Sequence, residues 1–216
     1  MKNIIILGVG GNCIDILDTI NEINLVSSTY NCIGFLDDSM NNQGKEFYGV
    51  KVIGTLKDAH KFSQCYFVNG IGSYRNFWLK ESIIKKTEIP LDKFENIIHP
   101  KASVSKLSNL GRGIVVLANT TICSNAVIGN HVIILSNSVI NHDDVIGDFT
   151  CITSGVCISG SVVIGGSCYI GSNSSIINEV KIGNDVLIGM GSNVLKDVED
   201  NVVVAGNPAK VIRKTH

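Results

Sequence analysis

Aliphatic residues recur at every sixth position over the carboxy-terminal half of the 216-residue chain. A period of six fits neither an amphipathic helix, which repeats at about 3.6 residues, nor an alternating strand, which repeats at about two. It is typical of a parallel β-helix, in which short strands wind into a solenoid and aliphatic side chains fill the axis. The series comprises Val104, Leu110, Val116, Ile122, Ile128, Ile134, Ile140, Ile146, Ile152, Ile158, Ile164, Ile170, Ile176, Ile182, Ile188 and Val194.

A second period, of eighteen residues, links isoleucine–glycine pairs. The glycines of these pairs are Gly129, Gly147, Gly165 and Gly183, and in a second set Gly171 and Gly189. Eighteen residues make three hexads, so the pairs predict a triangular coil with glycines stacked at its corners, where we expect the backbone to need a positive φ. The fourth residue after each aliphatic is small or β-branched in most hexads, which suits a narrow coil. Asp144 is an exception at this position.

Residues 1–98 follow a different pattern, in which buried apolar runs alternate with helical periodicity. Strands are predicted over 3–9, 31–38 and 65–73, and helices over 13–23 and 77–86, with a short strand, a turn and a helical turn over 48–61. Strand–helix–strand order favours a small parallel sheet. The chain is therefore predicted to hold an α/β, Rossmann-like domain at 1–98 and an all-β parallel β-helix at 99–216.

Composition and charge exclude several function classes. The net charge is −1 and Lys and Arg form no stripe, which disfavours nucleic acid as a partner. The apolar run at the amino terminus is too short for a signal peptide, and we expect no membrane insertion. Seven cysteines without a C-x-x-C pair indicate reduced thiols of a cytoplasmic protein. His131 and His142 are the histidines within the hexads, and their spacing is not a stacking distance, so no metal site is expected.

Six segments resemble the PglD/NeuD-like nucleotide-sugar acyltransferases, which have a left-handed β-helix. They are GVGGN after the first strand, GFLDD, GIGS, IIHPKASVS at the domain junction, NHDDVIGDF, and VVAGNPAKVI near the end. The resemblance implies a left-handed coil, a homotrimer and acetyl-CoA as co-substrate, without a metal. It implies an N-acetyltransferase acting on a nucleotide-linked amino-deoxysugar of bacterial surface-glycan synthesis. We expect a UDP- or dTDP-linked 4-amino-4,6-dideoxyhexose.

The NHDDVIGDF segment supplies the candidate catalytic residues. The family has a histidine followed by an acid here, so His142 is assigned as the general base and Asp143 as the carboxylate that orients it. A neutral imidazole can take the proton of an attacking amine near neutral pH, and a neighbouring carboxylate fixes its tautomer. Because neighbours on a strand point to opposite faces, Asp143 can reach the ring only at a bend. The family has a second histidine in the next hexad, where this chain has Cys151.

Eighteen-residue stacking places Gly160 one coil beyond His142, followed by Asn178 and then Lys196. Neighbouring coils should lie about 4.8 Å apart. Glycine would then leave space beside the base and an amide N–H that could stabilise a developing oxyanion. With the resemblance, this column and its surroundings are expected to bind coenzyme A. The candidate residues are Gly160, Ser161, Asn178, Lys196 and Lys210.

Three turns at one edge of the predicted sheet suggest a mononucleotide site. A glycine-rich turn before a helix can bind phosphate at the helix N-terminus, although a tight strand-to-helix turn explains these glycines equally well. The family uses this domain to hold the nucleotide, and its usual histidine in the first turn is Asn12 here. The candidate residues are Gly8, Gly10, Gly11 and Asn12, then Asp37 and Asp38, then Gly72 and Ser73.

The outward apolar residues of the predicted coil need cover, which agrees with the implied homotrimer and predicts active sites between subunits. These residues are Val127, Val139, Val145, Val163 and Leu187. Two other functions remain open at this point. One is O-acetylation of a sialic-acid-like sugar, which would give an ester product. The other is a non-catalytic, nucleotide-binding trimeric module, which would not consume acetyl-CoA.

Overall fold

The computed structural model describes residues 1–216, an α/β region followed by a parallel β-helix. The α/β region contains β1 (Lys2–Leu7), α1 (Gly11–Val26), β2 (Tyr30–Leu36), β3 (Glu46–Phe47), β4 (Val50–Gly54), β5 (Tyr66–Asn69) and α2 (Lys80–Lys85). Short 3₁₀ helices lie at Leu56–Phe62, Phe77–Leu79 and Leu91–Lys93. None of the helices combines the length and apolarity that a bilayer crossing needs.

The amino-terminal sheet has the strand order β3-β4-β2-β1-β5. Four strands are parallel, as predicted, and the two-residue strand β3 adds an antiparallel edge. Successive residues Ile4, Ile5 and Ile6 of β1 are all fully buried, because the sheet is covered on both faces. Helix α1 packs on one face through its buried residues Cys13 and Ile16.

The β-helix is built from two-residue strands at six-residue spacing. They are β6 (Ile97–Ile98), β7 (Ser103–Val104), β8 (Asn109–Leu110), β9 (Val115–Val116), β10 (Thr121–Ile122), β11 (Val127–Ile128), β12 (Ile133–Ile134), β13 (Val139–Ile140), β14 (Val145–Ile146), β15 (Cys151–Ile152), β16 (Cys157–Ile158), β17 (Val163–Ile164), β18 (Tyr169–Ile170), β19 (Ser175–Ile176), β20 (Lys181–Ile182), β21 (Leu187–Ile188) and β22 (Asn193–Val194). A hairpin of β23 (Val202–Gly206) and β24 (Ala209–Lys214) follows.

Every third strand stacks in parallel, so that Ile122 pairs with Ile140 and Ile140 with Ile158. This produces three sheets. The six-stranded sheet runs from β7 to β22, the five-stranded sheet from β8 to β20, and the eight-stranded sheet from β6 to the final hairpin. The inward aliphatic residues form one buried cluster of 24 residues with the small residues at the fourth position. The eighteen-residue coil predicted from the sequence is confirmed.

The expected role of the stacked glycines was wrong. None of the glycines in the isoleucine–glycine pairs has a positive φ; they are required because neighbouring coils approach closely. A Cβ at Gly147 would lie 2.5 Å from the carbonyl carbon of Gly165 in the next coil. Positive φ occurs two positions later, at residues such as His131, Asn173 and Asp185. Asparagine and aspartate tolerate this conformation better than most residues.

The regular register ends at Val194. Val194 still pairs with Ile176, eighteen residues earlier, but Val198 bridges to Ile182, which is sixteen residues earlier. The last coil is therefore two residues shorter, and the shortening lies between Val194 and Val198. The hairpin of β23 and β24 extends the eight-stranded sheet beyond this point.

The amino-terminal region covers the eight-stranded sheet. Outward residues Val115, Ile133 and Cys151 are buried in the same cluster as Ile16 of α1. Lys80, at the start of α2, is fully buried, and its ammonium donates to the carbonyl oxygen of His131 at 2.6 Å. Burial lowers the pKa of Lys80 to about 8. One face of the β-helix is thus closed, and the other two remain for partners or ligands.

Candidate active site

His142 and Asp143 form a hydrogen-bonded pair at the corner between the six-stranded and five-stranded sheets. Asp143 has a φ of 63°, which is the bend that lets neighbouring side chains meet. Its Oδ2 lies 2.8 Å from Nδ1 of His142, and its Oδ1 accepts the side-chain amide of Asn125 at 3.1 Å. These two hydrogen bonds hold the pKa of the Asp143 carboxyl below its ordinary value. An ionised carboxylate only accepts, so Nδ1 of His142 carries the proton and Nε2 is left free to act as a base.

Gly160 lies directly against the His142 ring. A Cβ built at Gly160 would stand 2.6 Å from Cε1 and 2.7 Å from Nε2 of His142. Only glycine fits without moving the imidazole. The Gly160 N–H donates to no acceptor within the chain, although its neighbours Ser159 and Ser161 both do. The structure therefore places an unpaired backbone donor beside the exposed ring, as a site for a developing negative charge requires.

The surface from Gly160 towards the carboxy terminus becomes apolar and then basic. Asn178 is exposed, and beside this column Ile177 and Leu195 are 44% and 51% exposed. Lys196 and Lys210 line one cavity of about 530 Å³ near the final hairpin. Of the five candidate coenzyme A residues, the structure thus groups Lys196 and Lys210 in the cavity, while Gly160, Ser161 and Asn178 lie on the coils between it and His142.

A second cavity, of about 400 Å³, lies where the turns of the amino-terminal sheet meet the β-helix. Seven of the eight candidate nucleotide residues line it: Gly8, Gly10, Gly11, Asn12, Asp37, Gly72 and Ser73. Asp38 does not. Its carboxylate accepts the N–H of Leu56 at 2.9 Å, which holds the neighbouring loop together.

Local hydrogen bonds join the first turn to the third and hold the third turn together. The Asn12 side-chain amide donates to the Gly72 carbonyl oxygen at 3.2 Å, and the Ser73 hydroxyl donates to Asn76 at 2.9 Å. Helix α1 begins after Gly10 without a side-chain cap and without an acid in its first turn. The N–H groups of Gly11 and Asn12 donate to no acceptor within the chain. The helix N-terminus in this cavity is therefore free to bind an anion.

Sequence reasoning missed the wall of this cavity that the β-helix provides. Leu135, Cys151, Thr153 and Tyr169 line it from the eight-stranded sheet and the corner after it. Burial raises the pKa of the Cys151 thiol to about 11, so it is a neutral group there. No local pattern marks these residues, because only the docking of the amino-terminal sheet onto the coil brings them together with the turns.

The cavity and the His142 pair lie at different corners of the coil. Leu135 and Thr153 follow strands of the eight-stranded sheet, whereas His142 follows β13 of the six-stranded sheet. Within one chain, the candidate base does not line the candidate nucleotide cavity. No group of three His, Cys, Asp or Glu side chains is placed to hold a metal ion.

Residues 3–86 match the family model of the PglD N-terminal domain. The resemblance to the PglD/NeuD-like proteins is confirmed. The matched range contains all three turns that line the candidate nucleotide cavity. The part of the chain that matches this family model thus supplies one wall of the cavity, and the β-helix supplies the other. A comparison with curated proteins finds no match.

Solved structures share the whole architecture. The acetyltransferase domain of PglB from Neisseria gonorrhoeae, in complex with acetyl coenzyme A, is 27% identical with a TM-score of 0.85, over 98% of this chain and 99% of that chain. A histidine-to-asparagine mutant of perosamine N-acetyltransferase from Caulobacter crescentus, in complex with CoA and GDP-perosamine, is 25% identical with a TM-score of 0.85, over 98% and 97%. WeeI from Acinetobacter baumannii shares the fold at 22% identity, with a TM-score of 0.81 over 98% and 100%. The fold class, a small α/β domain followed by a left-handed β-helix, is confirmed.

Proposed function

We propose that the chain is an acetyl-CoA-dependent N-acetyltransferase that acts on a nucleotide-linked amino-deoxysugar in bacterial surface-glycan synthesis. The observation that carries the proposal is the His142–Asp143 pair held against Gly160, with Nε2 free. Solved neighbours support it, since one holds acetyl coenzyme A and another holds CoA with GDP-perosamine. The preferred substrate is a 4-amino-4,6-dideoxyhexose. We expect the enzyme to act in the cytoplasm, where its seven free cysteines stay reduced.

In this reaction His142 acts as the general base. As the sugar amine attacks the acetyl carbonyl, a proton passes from its nitrogen to Nε2 of the imidazole. The C–S bond of the thioester then breaks, and the departing coenzyme A thiolate takes up a proton and leaves as the free thiol. The Asp143 carboxylate holds Nδ1–H and stabilises the positive charge that forms on the ring. The N–H of Gly160, which has no acceptor within the chain, is assigned to stabilise the negative charge that develops on the carbonyl oxygen.

The carboxy-terminal surface fits coenzyme A, which supplies the acetyl group as a thioester. Glycine at position 160 leaves room for the thioester end, which a Cβ would fill. Ile177 and Leu195 offer apolar contacts to the arm of coenzyme A, and Lys196 and Lys210 offer cations to its phosphates. Gly160 and Lys196 are two coils apart, which at about 4.8 Å per coil amounts to about 10 Å along the axis.

The amino-terminal cavity fits the diphosphate and nucleoside of the sugar substrate. Free N–H groups of Gly11 and Asn12, at the positive end of a 16-residue helix, favour the phosphates. Asp37 lines the same cavity at the end of β2, where such folds contact a ribose or base. We assign the nucleotide to this cavity and the reacting end of the sugar to its mouth.

We further propose a homotrimer whose active sites lie between subunits. Val127, Val145 and Val163 stack in register on the five-stranded sheet and are 40%, 38% and 39% exposed. The other two predicted residues, Val139 and Leu187, are half-buried. An exposed apolar stripe of this kind calls for cover by another copy. Such packing also lets the His142 corner of one copy face the nucleotide cavity of its neighbour.

A panel of nucleotide-linked amino sugars tests the proposed function. UDP-, dTDP- and GDP-linked 4-amino-4,6-dideoxyhexoses are incubated with acetyl-CoA, and the release of free thiol is followed. We expect turnover of at least one substrate, with an amide product that resists hydroxylamine. A hydroxylamine-labile ester would show O-acetylation instead. Nucleotide binding without thiol release from any sugar would contradict an enzyme and favour the binding module.

Substitution of Gly10 by valine tests the assignment of ligands to the two halves. A Cβ at Gly10 meets nothing within 4 Å, so the variant should fold and project its side chain into the nucleotide cavity. Calorimetry should show weaker binding of the nucleotide sugar and unchanged binding of coenzyme A. Gly10→Ala, which adds only a methyl group, should weaken binding less.

The reciprocal variant is Gly160→Ala. Its added methyl group would displace the His142 ring and narrow the thioester site, so kcat should fall while the nucleotide sugar still binds. If Gly10→Val abolished coenzyme A binding in a folded protein and spared the nucleotide, the division of ligands would be wrong.

A further inference from the structure

Asp144 is a buried carboxyl two residues after the candidate base, at a position that other hexads fill with small or β-branched residues. It is fully buried. Its Oδ2 accepts the N–H of Asn141 at 2.8 Å, and its Oδ1 accepts the N–H of Val162, in the next coil, at 2.9 Å. One carboxyl therefore joins the backbone immediately before His142 to the backbone two residues beyond Gly160.

The bond to Asn141 interrupts the hydrogen-bond ladder that holds neighbouring coils together. In every other hexad from Ser105 to Ile177, the N–H of the residue that follows the inward aliphatic donates to a carbonyl oxygen in the next coil. The acceptor is the carbonyl oxygen of the inward aliphatic residue of that coil, as in the bond from Cys123 to Ile140. Asn141 instead donates its N–H to Asp144, and its side-chain Nδ2 donates to the Ile158 carbonyl oxygen at 2.6 Å. Two side chains replace one backbone bond, and they do so at the corner that presents the base.

Thr150 shows what the same buried position does at another corner. Its hydroxyl donates to the Gly165 carbonyl oxygen at 3.0 Å and accepts the Cys168 N–H at 3.1 Å. The ladder beside it is regular, with the Gly147 N–H bound to the Ile164 carbonyl oxygen. A hydroxyl is thus enough to join two coils at this position. The stability of the coil therefore does not require a carboxyl at position 144, since a hydroxyl could join the two coils there.

We infer that Asp144 and Asn141 are positioning residues that set the place of His142 over Gly160, an inference that rests on the proposed acetyl transfer. The Asn141 N–H donates to Asp144 instead of to the next coil, and this bond fixes the backbone from which the imidazole projects. The same carboxyl holds the coil that carries Gly160. A misplacement of about 1 Å in a reacting group can cost about 10²-fold in rate, so this local arrangement matters for turnover.

The protonation of Asp144 supports the inference. Burial raises the pKa of Asp144 to about 7, against the opposing hydrogen bonds from Val162 and Asn141. His142 and Asp143 are the titratable groups that act on it, and its counterparts at this position in the adjacent coils, Ala126 and Val162, carry no charge. Because the pKa rises above its ordinary 3.8 on folding, the folded chain binds the proton more tightly, and stability is lost as pH rises from about 4 to about 7. Ionised Asp144 therefore destabilises the fold at pH 8.

Substitution of Asp144 by serine separates positioning from stability. Serine can join the coils as Thr150 does, and Asn141 can then rejoin the ladder. We expect a melting temperature at pH 8 equal to or above that of the wild type, a kcat about 10²-fold lower, and little change in either KM. The control Thr150→Ala loses two comparable bonds at another corner, and should lower the melting temperature without lowering kcat.

Nitrogen NMR of the His142 ring, in the full-length protein, gives a readout independent of turnover. In the wild type, Nδ1 should carry the proton donated to Asp143; in Asp144→Ser this tautomer should lose its dominance. Wild-type kcat, or an unchanged His142 spectrum, in Asp144→Ser would overturn the inference. If no sugar of the panel were acetylated but the spectrum changed, the proposed function would fail and the positioning role would stand.

Discussion

Replacing His142 with alanine should lower kcat by roughly 10²–10⁴-fold, the usual contribution of a general base. The imidazole is the one titratable group in the structure that combines a free nitrogen, a carboxylate partner at 2.8 Å and a neighbouring glycine with an unpaired N–H. Its side chain is 62% exposed, so its removal leaves no buried cavity and the melting temperature should change little. Steady-state kinetics with acetyl-CoA and the best sugar of the panel measure the effect.

The matched control for this variant is His60→Ala. His60 is also exposed and also hydrogen-bonded through Nδ1, but to the Lys57 carbonyl oxygen in the amino-terminal region. This variant should keep wild-type kcat. Turnover near the wild-type rate in His142→Ala would remove the imidazole from the mechanism and leave the pair with Asp143 as a surface contact.

The β-helix was predictable from the sequence because its constraint is local and repeated. Each hexad must send one aliphatic side chain to the axis, so the same residue type returns at Ile122, Ile140 and Ile158, which then stack in register. The contact of His142 with Gly160 followed from the same eighteen-residue arithmetic. The eighteen-residue register ends between Val194 and Val198, and the shorter last coil leaves no mark in the aliphatic series itself.

The role of glycine was misjudged because two physical reasons for glycine look alike in a sequence. Close approach of coils, as at Gly147, and positive φ, as at Gly155, both favour the absence of a side chain. In this coil the positive-φ corner is mostly filled by other residues, Asp143 among them. Because aspartate rather than glycine occupies this corner, a carboxylate lies within reach of the base.

The wall of the nucleotide cavity was beyond sequence reasoning for a different reason. Cys151 and Tyr169 are outward residues of the eight-stranded sheet, and nothing in their own hexads distinguishes them from surface positions. Their burial depends on the docking of α1 and the turns onto that sheet. The exchange of hydrogen bonds around Asp144 was also hidden, because the sequence shows an acid at a small-residue position but not the ladder that it alters.

Two variants of low activity should restore each other's activity when they share a trimer. His142→Ala lacks the base but keeps the nucleotide cavity, and Gly10→Val has a blocked cavity but keeps the base. In the proposed trimer each site takes its cavity from one copy and its His142 from the next. Random mixing in equal amounts should then make roughly a quarter of the sites intact, since each site draws two copies independently.

The geometry of the coil is the reason to expect this result. The residues that line the cavity leave the eight-stranded sheet at one corner, and His142 leaves the six-stranded sheet at the next, so one chain does not bring them together. Co-expression with two different tags isolates mixed trimers, and sedimentation confirms their size. Mixed trimers that stayed as inactive as either parent would show that each site lies within one chain. A wild-type monomer with full activity at micromolar concentration would contradict the trimer itself.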